Sequence, residues 1–277
     1  MSGSLSYFGA GRHVSNLEVV SRAAGVGGLG LLAVIVALNN VIARAPAGAT
    51  YIAKRLLPPG SDAVMGSDAL GRDIMSETVH ALAVSFSSAA VSTAIAIFIG
   101  ALAGFAAVRL PLRMGAAVRV ISGILRMIPT LFLAVVLVAL SSREFFAISV
   151  GLAICPEVFN AGFDRASSLA RSRHAMYARA SGIPGLTLLR RDLVYELRMN
   201  IVNVTGRALA SSATILATIS FFGFGAIPPH RDLGLLIAEA QTSYLSNWWC
   251  ALFPALALVV LVLCARLAAT DDSGQPS

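Results

Sequence analysis

Six apolar runs, each long enough to cross a bilayer as a helix, constrain this chain more than any other feature. A hydrocarbon core takes roughly 20 consecutive apolar residues per helical crossing. Such runs lie near residues 23–43, 81–108, 118–140, 145–163, 200–226 and 247–268. In lipid, every backbone polar group must find an internal partner, so the runs predict helices in an all-α integral membrane fold of about six transmembrane helices. Residues 1–22 then form an N-terminal segment, 23–268 the membrane domain and 269–277 a short tail. The first run is too long, and too poor in small residues at a cleavage site, to be a signal peptide, so it is expected to stay as a membrane anchor.

Between the fourth and fifth runs lies the most basic stretch, residues 164–198, with Arg165, Arg171, Arg173, Arg179, Arg190, Arg191 and Arg198, expected to be a loop held at one membrane face. Arginine excess marks the cytoplasmic side. Arg12 and Arg22 precede the first run, and Arg109 and Arg113 separate the second from the third, so six crossings put both termini on that same side. In residues 44–80, on the opposite side, Arg44, Lys54, Arg55 and Arg72 are offset by Asp62, Asp68, Asp73 and Glu77.

Composition closes off other classes. With 57% hydrophobic and 13% charged residues, the chain is too apolar for a soluble domain. Its net charge of +7 comes from arginines crowding the ends of apolar runs, where they meet lipid headgroups, and nucleic acid is not the expected partner. Cys155, Cys250 and Cys264 form no C-x-x-C pair and read as small buried hydrophobes rather than a disulfide framework or zinc site. An intramembrane enzyme needs a nucleophile and base facing each other in the bilayer, whereas His13, His80, His174 and His230 all lie outside the apolar runs. No catalytic centre is expected.

Local signals suggest how the helices pack. Gly100 and Gly104 form a G-x-x-x-G pair, read either as a close helix crossing or as coincidence among 24 glycines. Pro129, Pro156 and Pro254 interrupt three runs, as kinks or where a cavity meets the freed carbonyls. The charged Arg126, Glu157 and Arg207 are candidate pathway residues, with snorkelling to the interface the alternative for Glu157 and Arg207. Gly66-Ser67-Asp68-Ala69-Leu70-Gly71-Arg72-Asp73 reads as a charge-paired turn entering a helix. Its glycines supply unusual backbone angles, and Ser67 can cap a following turn. Asp73, Glu77 and His80 share one helical face at metal-ligand spacing, but the preferred reading is a polar face at the membrane interface, with no metal site.

The same turn resembles the G-T-D-x-x-G-R-D signature of permease subunits in bacterial ATP-binding-cassette importers for peptides and nickel, with serine in place of threonine. Ser220-Phe221-Phe222-Gly223-Phe224-Gly225 resembles the family's S-F-L-G-L-G. Pro228-Pro229 and Gly234 follow at similar spacing, and Trp249-Cys250-Ala251-Leu252-Phe253-Pro254 stands where relatives have W-L-A-L-F-P. These ordered matches, from about residue 60 to 265, are most similar to the C-type dipeptide or oligopeptide subunit.

The resemblance implies an ABC importer type I permease fold in the inner membrane. It implies a second homologous permease, two cytoplasmic ATPase subunits that bind the ATP, an extracytoplasmic solute-binding protein, and no cofactor on this chain. Nickel or a metal chelate is the alternative cargo; a channel or structural subunit uncoupled from ATP is the alternative class. The family's ATPase-coupling helix falls on Met176, Tyr177, Ala178, Arg179, Ala180 and Gly182. Met176 and Tyr177 replace its usual glutamate and first alanine, and Val194-Tyr195 its later L-P. Helix formers over 174–182, then Gly182 and Pro184, predict a short helix and turn there.

Overall fold

The computed structural model describes residues 16–60, 63–109, 117, 120–121, 123–124, 127–141, 148–159, 185–226, 230–242 and 247–269. Within them the chain is helical and contains no strand, only an isolated bridge between Ser67 and Asp73. The longer helices are α1 (Asn16–Ala37), α2 (Ile74–Arg109), α3 (Thr130–Leu140), α4 (Ile148–Phe159), α5 (Gly185–Phe221), α6 (Leu233–Glu239) and α7 (Trp249–Ala268), with short helical turns at Asn39–Ile42, Ile52–Lys54 and Ala240–Thr242.

Val20–Ala37, Ile74–Gly100 and Trp249–Ala268 are long and apolar enough to cross a membrane, and α3 and α4 are shorter apolar helices. The fifth apolar run lies within α5 up to Phe221, where the helix ends. This is an all-α, multi-pass membrane architecture.

Small residues set the packing. A Cβ on Gly25 would stand 2.2 Å from Ala268 N, and one on Gly28 2.5 Å from Cys264 Sγ, so the N-terminal half of α1 lies against the C-terminal half of α7. A Cβ on Gly206 would lie 2.7 Å from Ala265 O, bringing α5 to the same region. Between α2 and α4, a Cβ on Gly100 would meet Val158 Cγ1 at 2.8 Å, and one on Gly151 would meet Ser92 O at 2.7 Å. Gly100 therefore does mark a close crossing. Without water between them, such helices gain from backbone approach and from polar bonds. Thr93 Oγ1 and the buried Ser212 Oγ, 3.3 Å apart, join α2 to α5. Thr130 Oγ1 donates to Glu157 Oε1 at 2.8 Å and Ser141 Oγ lies 2.9 Å from Ser149 Oγ, which sets α3 and α4 antiparallel.

Two expectations need correction. The third apolar run, 118–140, is not one helix, because α3 begins only after Pro129, whose ψ of 126° is extended. Proline lacks the N–H a continuing helix needs and disfavours helical backbone at the preceding residue, here Ile128. Pro156 and Pro254, by contrast, lie inside α4 and α7. Secondly, the last part of the 164–198 segment is helix, since α5 starts at Gly185 and runs without a break into the fifth apolar run. Residues 186–199 hold no glycine or proline and are rich in Leu and Arg, so helix propensity persists where hydropathy fails. At 1.5 Å per residue the 37-residue α5 spans about 55 Å, well beyond a hydrocarbon core of about 30 Å.

Candidate functional site

The ion pairs found among the described residues gather where α2 begins and α6 packs near it. The turn before α2 builds the floor of this region. Gly66 and Gly71 have φ of 81° and 77°, the left-handed values that a side chain disfavours. A Cβ on Gly71 would also lie 1.9 Å from Tyr51 O. Asp68 closes the turn, its Oδ1 accepting from Leu70 N and Arg72 N, each at 2.8 Å. Ser67 does not cap the following turn. Its hydroxyl donates to Lys54 O and accepts from Leu57 N, tying the turn back to the preceding segment. Asp73 caps α2 instead, with Oδ2 accepting from Ser76 N at 3.0 Å and from Ser76 Oγ at 2.5 Å.

Two arginines and three carboxylates lock this turn to α6. The buried Arg72 donates from Nε to Asp68 Oδ2 and from Nη2 to Glu239 Oε2, the latter at 2.8 Å. Arg231 donates from Nε to the same Glu239 through Oε1 at 3.2 Å, and from Nη1 to Glu77 Oε2 at 3.4 Å. Glu77 in turn accepts from Gly48 N at 2.6 Å. Burial alone would lower the Arg72 pKa; the hydrogen bond and charge of Asp68, then the charge of Glu239, outweigh it and hold the guanidinium above its ordinary value.

Trp249, Ser220 and Gly234, from the other matched motifs, add contacts to this region. Trp249 Nε1 donates to Ser67 O at 3.1 Å, and the Trp249 ring lies where a Cβ on Gly66 would be. The buried Ser220 hydroxyl donates to the buried Asp232 carboxylate, which also caps α6 by accepting from Leu235 N at 2.8 Å. Burial pushes the Asp232 carboxyl up, opposed by the Ser220 hydroxyl and the Leu235 N–H. Leu233 N donates to Ser85 Oγ at 2.9 Å, and a Cβ on Gly234 would lie 2.2 Å from Ala217 O, so α6 sits tight on both α2 and α5. Segments far apart in sequence therefore form one interlocked cap.

The structure brings together Gly66, Ser67, Asp68, Gly71, Arg72 and Asp73. The coupling residues Met176, Tyr177, Ala178, Arg179, Ala180 and Gly182, together with Arg126 and Pro228-Pro229, lie outside the described residues. Glu157 is exposed on α4, bonded to Thr130, and Arg207 is exposed on α5, so these two are not members of the cap. Asp73, Glu77 and His80 do not converge on one point: Asp73 caps its own helix, Glu77 binds Gly48 and Arg231, and His80 reaches Asn39 and Ala45. No cluster of metal-ligating side chains is found among the described residues. Sequence reading missed Arg231, Asp232 and Glu239. The signal was their position, since they bracket the apolar Leu233–Ala238 in a short segment between two membrane runs.

No protein-family model matches the chain. It is 25% identical over 245 residues to a putative peptide transport system permease protein of Brucella suis biovar 1, an alignment covering 87% of this chain and 82% of that protein. It is 29% identical over 211 residues to the di/tripeptide transport system permease protein DppC of Pseudomonas aeruginosa, covering 74% and 68%. To the probable D,D-dipeptide transport system permease protein DdpC of Escherichia coli K12 it is 29% identical over 209 residues, covering 74% and 70%. The likeness first carried by four short motifs thus extends over most of the chain, which is similar in sequence to permease proteins of bacterial peptide transport systems.

Proposed function

We propose that this chain is a permease subunit of an ATP-dependent importer for dipeptides or oligopeptides in the bacterial inner membrane. The observation that carries the reading is similarity to peptide transport permeases along most of the chain. Convergence of the matched motifs in one cap supports it, since motifs that interlock in space specify a shared architecture rather than scattered chance matches.

In this reading the chain does no covalent chemistry and holds no cofactor. It forms the pathway with a second, homologous permease. ATP is bound by two cytoplasmic ATPase subunits, and an extracytoplasmic solute-binding protein delivers the peptide. Residues 1–22, the basic segment 164–198 and the tail 269–277 face the cytoplasm, and the cap of α6 faces outward. Met176, Tyr177, Ala178, Arg179, Ala180 and Gly182 contact an ATPase, with arginine offered to carboxylates on its surface. The length of α5 suits this role, because a helix that continues from the basic segment into the membrane passes on rigid-body motion rather than absorbing it. ATP binding draws the ATPases together and shifts the permease pair between inward-facing and outward-facing states. Arg126, Glu157 and Arg207 are proposed to line or border the pathway.

Copurification tests this assembly. After mild detergent extraction, the tagged full-length chain is expected to bring down a homologous permease and ATPases. A stable assembly without any ATPase refutes the proposal.

A further inference from the structure

His80, on the second turn of α2, makes contacts that a neutral imidazole cannot satisfy. Its Nδ1 lies 3.2 Å from Asn39 Oδ1 and its Nε2 lies 3.2 Å from Ala45 O. Both partners are acceptors. The Ala45 carbonyl can only accept. The Asn39 amide is oriented by its own Nδ2, which donates to Val36 O at 2.6 Å, and turning the amide over would set its oxygen against that carbonyl. A neutral ring carries one N–H and satisfies one of the two oxygens. The imidazolium donates from both nitrogens and satisfies both.

We propose that His80 is a pH-sensitive clasp on the connection between α1 and α2. Protonated, it fastens both Asn39 and Ala45 to α2; neutral, it keeps one contact and sets a lone pair against the other oxygen, so the connection loosens. Histidine is the side chain whose charge ordinarily changes between about pH 5 and 8. The other contacts on this stretch come from the same helix: Ser76 Oγ accepts from Arg44 N at 3.0 Å and Ala45 N at 3.2 Å, and Glu77 Oε1 accepts from Gly48 N at 2.6 Å. Ser76 has no charge to lose, and Glu77 is already paired with Arg231. The charged groups around the clasp, among the described residues, are Asp73 and Glu77 on its own helix, Arg231 reaching Glu77 from the α6 side, and Arg44 next to Ala45. His80 is thus the member of this set whose bonding changes with pH, and through Glu77 and Arg231 the clasp adjoins the Glu239 lock.

Hydrogen–deuterium exchange of the full-length chain in lipid nanodiscs tests the clasp, with rates over residues 43–48 corrected for the intrinsic pH dependence of exchange. In the wild type, protection there is expected to fall about tenfold from pH 5.5 to 8, the loss of one charge-assisted hydrogen bond, while α7 stays unchanged. His80→Gln, which does not titrate, is expected to give a flat profile. Asn39→Asp places a carboxylate against Nδ1 and is expected to move the fall to higher pH. Protection that is constant with pH in the wild type, or the same fall retained in His80→Gln, overturns the proposal. Should His80→Gln fail to fold, an unshifted profile in Asn39→Asp overturns it equally.

Discussion

Replacing Arg72 with alanine should weaken the cap more than any other single change in the charge network. Arg72 and Asp68 keep only 8% and 13% of their side-chain surface exposed, and breaking a buried pair from one side typically costs about 3–5 kcal/mol. Three features reduce that cost here. Asp68 Oδ1 retains the Leu70 N–H and a backbone N–H at position 72, Glu239 retains Arg231, and the change removes Arg72 Nη1, a buried donor without a partner among the described residues. About 2–3 kcal/mol remains, equivalent to a fall of roughly 5–10 °C in the apparent unfolding midpoint. Glu239 is one-third exposed, so Glu239→Gln should cost less than about 1 kcal/mol. Arg72→Lys should fall between them, because an ammonium lacks the planar fork that reaches two carboxylates at once. The assay is thermal unfolding of the detergent-purified chain followed by tryptophan fluorescence, since Trp249 is bonded to the turn through Ser67 O. If Glu239→Gln destabilises as much as Arg72→Ala, or neither has an effect, the network does not hold the cap as described.

Other consequences are equally direct. Because burial raises the Asp232 carboxyl pKa, the folded state favours the protonated acid; this contribution is greatest below the ordinary carboxylate range and is lost as pH rises through the folded value. Asp232→Asn should flatten that part of the unfolding midpoint's pH profile while retaining the α6 cap, whereas Asp232→Ala should lose the cap at about 1 kcal/mol in the same assay. Gly71→Ala meets both an unfavourable φ and Tyr51 O at 1.9 Å, while Gly223→Ala, at φ 85° with open space, meets only the φ cost of about 1–2 kcal/mol; comparing their midpoints should show Gly71→Ala the worse. Gly182→Asp and Arg179→Glu should leave the protein folded in the membrane but uncouple ATP hydrolysis from uptake, since a side chain at the first disturbs the turn that ends the helix and a reversed charge at the second opposes docking. Wild-type transport by both variants would make that segment a topological anchor only.

What the sequence revealed follows the range of the interactions involved. The apolar runs are local sums, and they announced the membrane architecture. The positive φ at Gly66 and Gly71 is also a local demand and was legible. The bonding of Ser67 was not legible because a hydroxyl near a turn can cap it or reach elsewhere, and its partners Lys54 and Leu57 lie on the preceding segment. The interruption at Pro129 was legible from the proline itself, but not that it ends a helix rather than kinking it, because hydropathy continues across it; the early start of α5 was obscured because hydropathy stops while helix propensity does not. Arg72 and Glu239 are 167 residues apart, and no periodicity in a single sequence joins them. For Arg231 and Asp232 the hint was positional, and only the fold shows Asp232 meeting Ser220 and Arg231 meeting Glu77.

ATP-driven uptake tests the central claim most directly. The complex isolated through this chain, reconstituted into proteoliposomes with its solute-binding protein, is predicted to accumulate a labelled dipeptide or oligopeptide only when ATP is hydrolysed. Peptide entry that proceeds at the same rate without ATP, or a complete complex that hydrolyses ATP and takes up no peptide, would contradict it.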